Sequence, residues 1–221
     1  MDKLPELYAF RFPPELAKRR DAIWRVLCSR FFQRYIRSND TVLELGCGYG
    51  EFIRHIVAGR RIAVDINPDA GSRLTPGIEF HAADASDLSF VETASVDVCF
   101  SSNFFEHLPS KPALDQVLAE ALRVLKPGGR YIAMQPNLRY APGEYWDYYD
   151  HVIPLTDRSC AEAFAKAGFQ LIEIIDRFVP FSTTSRLPQT PGLVRIYLAC
   201  RFAWRVLGRQ FVIVAARPRE P

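Results

Sequence analysis

A doubly wound, mostly parallel α/β sheet of seven strands is the fold this chain predicts, on three observations. Short apolar runs alternate with helix-patterned stretches, the arrangement that covers both faces of a parallel sheet with helices. The first run, residues 41–45, leads straight into Gly46, Gly48 and Gly50. A second run ends fifteen residues past Gly50 on an acid, Asp65. Glycines let a backbone turn tightly and approach a ligand with no Cβ in the way, and an acid at the tip of the next strand can accept both hydroxyls of a ribose. The pair describes a nucleoside pocket.

The elements follow in order. Residues 14–37 read as one basic helix opened by Pro13-Pro14, with Ile23, Val26, Leu27, Phe31 and Tyr35 as its apolar stripe and Ser38-Asn39-Asp40 as its stop. Then come strand 41–45, helix 50–58, strands 61–65, 78–82 and 96–101, helix 111–125 and strand 129–135. Lys126-Pro127-Gly128-Gly129 reads as a helix stop and a tight turn. Helix 157–167 takes Thr156 as N-cap and Gly168 at its C-terminal cap, and strands 169–176 and 210–216 complete the sheet. The expectation is one domain over 1–221: a helical extension (1–39), a core (40–177 and 210–217) and an insertion (178–209).

Composition narrows the class. The chain has 221 residues, 48% hydrophobic and 24% charged, which suits one soluble globular domain with a full core. A net charge of +3 does not argue for a nucleic-acid partner. Five scattered cysteines without a CxxC spacing speak against a zinc or disulfide framework and fit a reducing cytoplasm. The first residues show no signal-peptide pattern, and no apolar run approaches the ~20 residues needed to span a bilayer.

The glycine spacing decides between nucleosides. A dinucleotide turn wants G-x-G-x-x-G, but the position for its third glycine holds Glu51, and Glu44 precedes the turn. A carboxylate there serves a pyrophosphate poorly and a cationic amino-acid end well.

Val-Leu-Glu-Leu-Gly-Cys-Gly-Tyr-Gly (42–50) resembles the first motif of class I S-adenosylmethionine-dependent methyltransferases. Ala63–Asn67 resembles their ribose motif, His81–Ala85 their adenine motif, Ser95–Asn103 through Glu106-His107-Leu108 their fourth-strand motif, and Leu122–Arg130 the helix-to-fifth-strand motif of the small-molecule branch. The resemblance implies a Rossmann-like methyltransferase fold and S-adenosylmethionine as cofactor. It implies that Gly46, Gly48 and Gly50 pass under the cofactor, with Cys47 and Tyr49 lending main chain. Glu44 would attract the methionyl ammonium and Asp65 would take the ribose hydroxyls. Ile66 would pack on the adenine, Asp84 accept from its amino group and the Ala85 amide approach its ring. Ser101 and Asn103 would lie at the methionine end. A softer likeness of residues 145–159 to bacterial methyltransferases of polysaccharide and lipid-linked sugar pathways implies a small-molecule or lipid- or sugar-linked acceptor, methylated at oxygen. N- or C-methylation, or a non-catalytic accessory role, are the alternatives.

Methyl transfer from a sulfonium mainly asks for in-line positioning and exclusion of water, with a base needed only for weak nucleophiles such as a hydroxyl. His107, after the fourth strand, is the candidate base; its other role would be to brace the turn at Pro109-Ser110. The loop 140–151 holds four tyrosines and a tryptophan, and Tyr145, Trp146, Tyr149 and His151 are the candidate acceptor contacts. Asp147, Asp150 and His151 could ligate a metal, but none is assigned. No Asn-Pro-Pro-Tyr tetrapeptide is present, so nucleic acid is not expected as a substrate.

The insertion carries five arginines and no acid over 178–209, with Pro180, Pro188 and Pro191 flanking a helix over 193–207. At ~100° per residue Arg195, Arg201, Arg205 and Arg209 share one third of the wheel, opposite Leu193, Ile196, Tyr197, Cys200, Trp204 and Leu207. Three readings stay open for 192–209: docking on its own domain, contact with a membrane surface at the cytoplasmic face, or a homodimer contact.

Overall fold

Seven strands form one sheet: β1 Thr41–Leu45, β2 Arg60–Asp65, β3 Glu79–Ala82, β4 Val96–Ser102, β5 Leu125–Pro136, β6 Gln170–Ile175 and β7 Gln210–Ala216. In this computed structural model their order is β3-β2-β1-β4-β5-β7-β6, with β7 antiparallel to both neighbours and the other pairings parallel. The order reverses between β1 and β4, so a crevice opens past their carboxyl ends, where open α/β sheets bind ligands. The structure describes residues 14–180 and 190–219; Pro13, Arg186 and Pro188 lie outside them.

The central strands β1, β4 and β7 are largely apolar because both of their faces are covered, whereas the edge strands β3 and β6 are more exposed. Leu43 and Leu45 enter a core with α3 (Lys111–Val124) and α4 (Asp157–Lys166). Val42 enters the opposite core, with α1 (Pro14–Arg30) and α2 (Glu51–His55). This alternation is the period of two expected of a strand. In the second core the Phe52 and Phe100 rings stack at 3.5 Å, and Trp24 and Phe32 pack edge-on against them. Truncating Phe100 there to alanine would cost about 3–5 kcal/mol.

Several predicted boundaries move. The basic helix stops at Arg30, and Phe32–Tyr35 forms a separate 3-10 turn, because Phe31 and Phe32 are both drawn into the core. Helix 50–58 shortens to Glu51–His55; Ile56 is extended and buried, and β-branched Ile56-Val57 followed by Gly59 favours helix weakly. Lys126–Gly129 is no turn between elements but a bulge within β5: Leu125 pairs with Val96, Arg130 with Val98, and Gly128 bends the extra chain at φ +81°. The cap of α4 is as expected and reciprocal, with Thr156 and Ser159 each accepting from the other's backbone.

The single helix predicted over 193–207 is two, α5 (Pro191–Ala199) and α6 (Arg201–Leu207), broken at Cys200. The Trp204 indole donates to the Tyr197 carbonyl at 2.9 Å, taking an acceptor from the end of α5. The predicted apolar wheel is therefore split. Trp204 is buried and Tyr197 half-buried, whereas Leu193, Ile196, Cys200 and Leu207 are exposed alongside the arginines.

Candidate active site

The turn after β1 needs its glycines. Gly46, Gly48 and Gly50 all sit in the left-handed region, at φ +67°, +52° and +70°. A Cβ on Gly46 would stand 2.5 Å from the Phe104 ring. The turn is tied to β2: Cys47 N–H donates to the Val64 carbonyl at 3.0 Å and Gly48 N–H to Asp65 Oδ2 at 2.7 Å. The other oxygen, Oδ1, accepts Asn67 N–H at 2.9 Å. Burial raises the Asp65 carboxyl above its ordinary range, and the two amides partly offset this.

Two more acids stand behind the turn. Glu44 is buried and its Oε2 accepts Ile53 N–H at 3.1 Å, in the first turn of α2. Its carboxyl is pushed well above the usual range by burial first, then by the charges of Glu51 and Asp65. Glu51 opens α2 and pairs with Arg20 at 3.2 Å. Such a cluster resists further negative charge and favours a cation, so the donor set fits a sulfonium amino acid and not a pyrophosphate. Cys47 is buried and its thiol is raised by burial and by Glu44, so its role is packing and main chain.

Along the crevice, Ile66 is exposed at the end of β2, a surface a flat base can cover. Asp84 is exposed, with Oδ1 accepting both Ser86 donors at 2.8 Å, and Ala85 is buried beside it. Asn103 follows β4 at φ +46°, and its Oδ1 accepts Gln210 Nε2 at 2.7 Å. Ser101 turns its side chain inward. It is fully buried, and its hydroxyl accepts from Tyr131 at 3.1 Å and Gln135 Nε2 at 3.2 Å, so the side chain belongs to the interior.

Gln135 is the residue the sequence reading passed over. Buried in β5, it turns Oε1 to the Phe104 and Phe105 amides at 2.9 and 3.4 Å and so sets the loop after β4. Asn137 is similar: its amide nitrogen donates to Asp157 Oδ1 at 2.9 Å and to the Asp176 carbonyl at 2.8 Å. Polar side chains closing an otherwise apolar strand were the available signal.

The loop after β4 and the aromatic loop meet. Val152 and Ile153 N–H both donate to the Glu106 carbonyl, at 2.7 and 3.3 Å. His107 Nδ1 lies 3.1 Å from Asp150 Oδ2. The His107 and His151 rings are 4.9 Å apart, and Tyr148 stacks on His151. Ligand-capable atoms of Glu106, His107 and His151 all lie within 4.8 Å of one another, a grouping distinct from Asp147, Asp150 and His151. Of the candidate acceptor contacts, Tyr145 is a core residue whose hydroxyl donates to the Ile153 carbonyl. His151 is buried against His107, while Trp146 is 55% and Tyr149 98% exposed. A polar cavity of about 230 Å³ at the opposite end of the sheet, lined by Asp97, Lys126 and Arg130 among others, shares no residue with this crevice.

Comparisons with known proteins bear on the fold and the family. A family described as a methyltransferase domain matches residues 43–133. The ubiquinone/menaquinone biosynthesis C-methyltransferase of Brucella anthropi is 30% identical over 187 residues, covering 79% of this chain and 71% of its own. A protein of Mycolicibacterium smegmatis described as a "Probable S-adenosylmethionine-dependent methyltransferase" is 29% identical over 144 residues, 62% of this chain and 54% of its own. The chain spans about half the length of this and some other curated relatives it matches. Among solved structures, an S-adenosylmethionine-dependent methyltransferase of Archaeoglobus fulgidus superposes with a TM-score of 0.68 at 21% identity, over 89% of this chain and 94% of that one.

Proposed function

The chain belongs to the class I S-adenosylmethionine-dependent methyltransferases, and from that premise we propose that it methylates an oxygen of a small-molecule or lipid- or sugar-linked acceptor, with His107 as the base. The bound cofactor supplies an electrophilic methyl group on a sulfonium that leaves as a neutral thioether. Asp65 takes the ribose hydroxyls and Ile66 one face of the adenine. Asp84 and the Ala85 amide take the adenine edge, and Glu44 balances the ammonium through the glycine turn. Asn103 and the main chain at Ser101 border the methionine end.

One observation carries the acceptor side: His107, oriented by Asp150, stands with Glu106 and His151 beyond the end of β4. Nδ1 faces the Asp150 carboxylate, which would support positive charge on the ring as it takes the acceptor's proton. His107 would hold that proton until it passes to solvent. Trp146 and Tyr149 offer exposed faces on which a sugar or ring can stack. In this reading the two histidines and Glu106 move and hold protons and bind no metal.

Calorimetric titration of the whole chain with S-adenosylmethionine, with NAD as control, tests the cofactor. Methyl-labelled cofactor and fractionated cell extract test the acceptor: the labelled product carries an O-methyl group by NMR. A C-methyl product would overturn the oxygen assignment in favour of the kind of reaction the Brucella relative is named for. Binding without turnover on any fraction would leave the accessory role. Turnover that disappears on exhaustive chelation and returns with a divalent ion would overturn the metal-free reading.

A further inference from the structure

The insertion has an inner face and an outer face. Inward, Trp204 packs against Phe31 and Phe178 at 5.8 and 5.1 Å, and Val194, Tyr197 and Leu198 join the same core. Outward, Phe202 is 75%, Ile196 68% and Val206 55% exposed, with Leu193 and Leu207 beside them in sequence and also exposed. Docking on the domain is thus accomplished by one set of side chains and leaves another apolar set in water. Arg195, Arg201 and Arg205 are exposed among them, and residues 190–209 contain no acid.

We infer that the outer face of α5 and α6 docks the protein on an anionic bilayer, and that the acceptor of the proposed reaction is carried by a lipid of that bilayer. Interleaved apolar and arginine side chains match an interface where acyl chains lie under phosphate. A nucleic-acid backbone would use the arginines and leave Phe202, Ile196 and Val206 wet. Position supports the coupling to the site, a step that rests on the methyltransferase reading. The insertion joins the end of β6 to the start of β7, and β7 begins where β5 ends, Gln210 pairing with Pro136. That is the edge where β1 and β4 open their crevice. Arg209 pairs with Glu144 of the aromatic loop, and Gln210 donates to Asn103 at the end of β4. Arg209 and Gln210, shortly after α6, are therefore bonded to both walls of the acceptor site.

The test is flotation of the full chain with vesicles of phosphatidylglycerol and phosphatidylethanolamine, against pure phosphatidylcholine. Binding to the anionic vesicles that weakens with salt, and weakens about tenfold or more in Phe202→Asp/Ile196→Asp and in Arg201→Glu/Arg205→Glu, supports the inference. Cofactor affinity measured on the same preparations is expected to be unchanged, which shows the variants folded. Equal flotation of wild type and folded variants, or none by wild type, overturns it. So does a dimer in sedimentation velocity that Phe202→Asp dissociates without any vesicle binding, since the face would then serve a second copy. Failure of wild type to bind S-adenosylmethionine would instead strike the methyltransferase reading and leave the surface result standing.

Discussion

The amide of Gly48 donates to Asp65 Oδ2 across 2.7 Å, so the acid at the tip of β2 also holds the glycine turn at the end of β1. Ribose recognition and loop shape are thereby joined in one carboxylate, whose second oxygen anchors Asn67. Asp65→Ala strands both amides. Each lost acceptor on a buried donor costs about 1–3 kcal/mol, so the thermal midpoint falls while unfolding stays cooperative. S-adenosylmethionine binding should vanish in calorimetry. Retained micromolar affinity would refute the ribose assignment.

Glu44 gives a prediction about pH. Its folded-state carboxyl lies well above the ordinary value because of burial and the nearby Glu51 and Asp65. A raised acid contributes stability that is complete below its unfolded value and is lost as pH rises through the folded one. Glu44→Gln keeps an oxygen for the Ile53 amide and cannot ionise. The ligand-free variant should therefore melt above wild type at pH 8, and the gap should close as pH falls towards 4. With ~1 kcal/mol equal to about 2–4 °C in a domain of this size, a difference of a few degrees is expected. Cofactor affinity should drop in the same variant, because the negative field behind the turn is weakened.

Gln135 positions and does not react. Its Oε1 serves the amides of Phe104 and Phe105, and the Phe104 ring fills the space beside Gly46. Gln135→Ala should lower cofactor affinity and turnover together. Gln135→Glu, which keeps the acceptor oxygen, should restore more of the affinity than of the stability, since it buries a charge. A variant that melts lower but binds normally would confine Gln135 to the fold.

How much of this could be read from the chain depends on how local each cause is. The turn at Gly46, Gly48 and Gly50 and the acid at Asp65 are consecutive landmarks, and the cap at Thr156 needs only Ser159. The inward turn of the Ser101 hydroxyl was not legible, because β4 is buried on both faces and the partners of that hydroxyl, Tyr131 and Gln135, come from the neighbouring strand. Tyr145 and Tyr149 look alike in sequence, yet one is buried and the other almost wholly exposed; the difference lies in a loop folding back on Ile153. The break at Cys200 depends on where the Trp204 indole finds a carbonyl, which no helical wheel records.

His107 carries the final prediction. If it removes the acceptor's proton, His107→Ala should lower kcat by about 10²–10⁴-fold with little change in cofactor affinity, and the acid limb of the wild-type pH–rate profile should disappear. Asp150→Asn should act through the same ring. It keeps a hydrogen-bonding group near Nδ1 but removes the charge that stabilises protonated His107, which moves the acid limb to lower pH and reduces kcat more than KM. The pair is diagnostic, because a histidine that merely braced Pro109-Ser110 would show its loss in the melting curve. In that case both profiles would keep their shape, and the oxygen nucleophile would have to be activated by His151 or arrive already ionised.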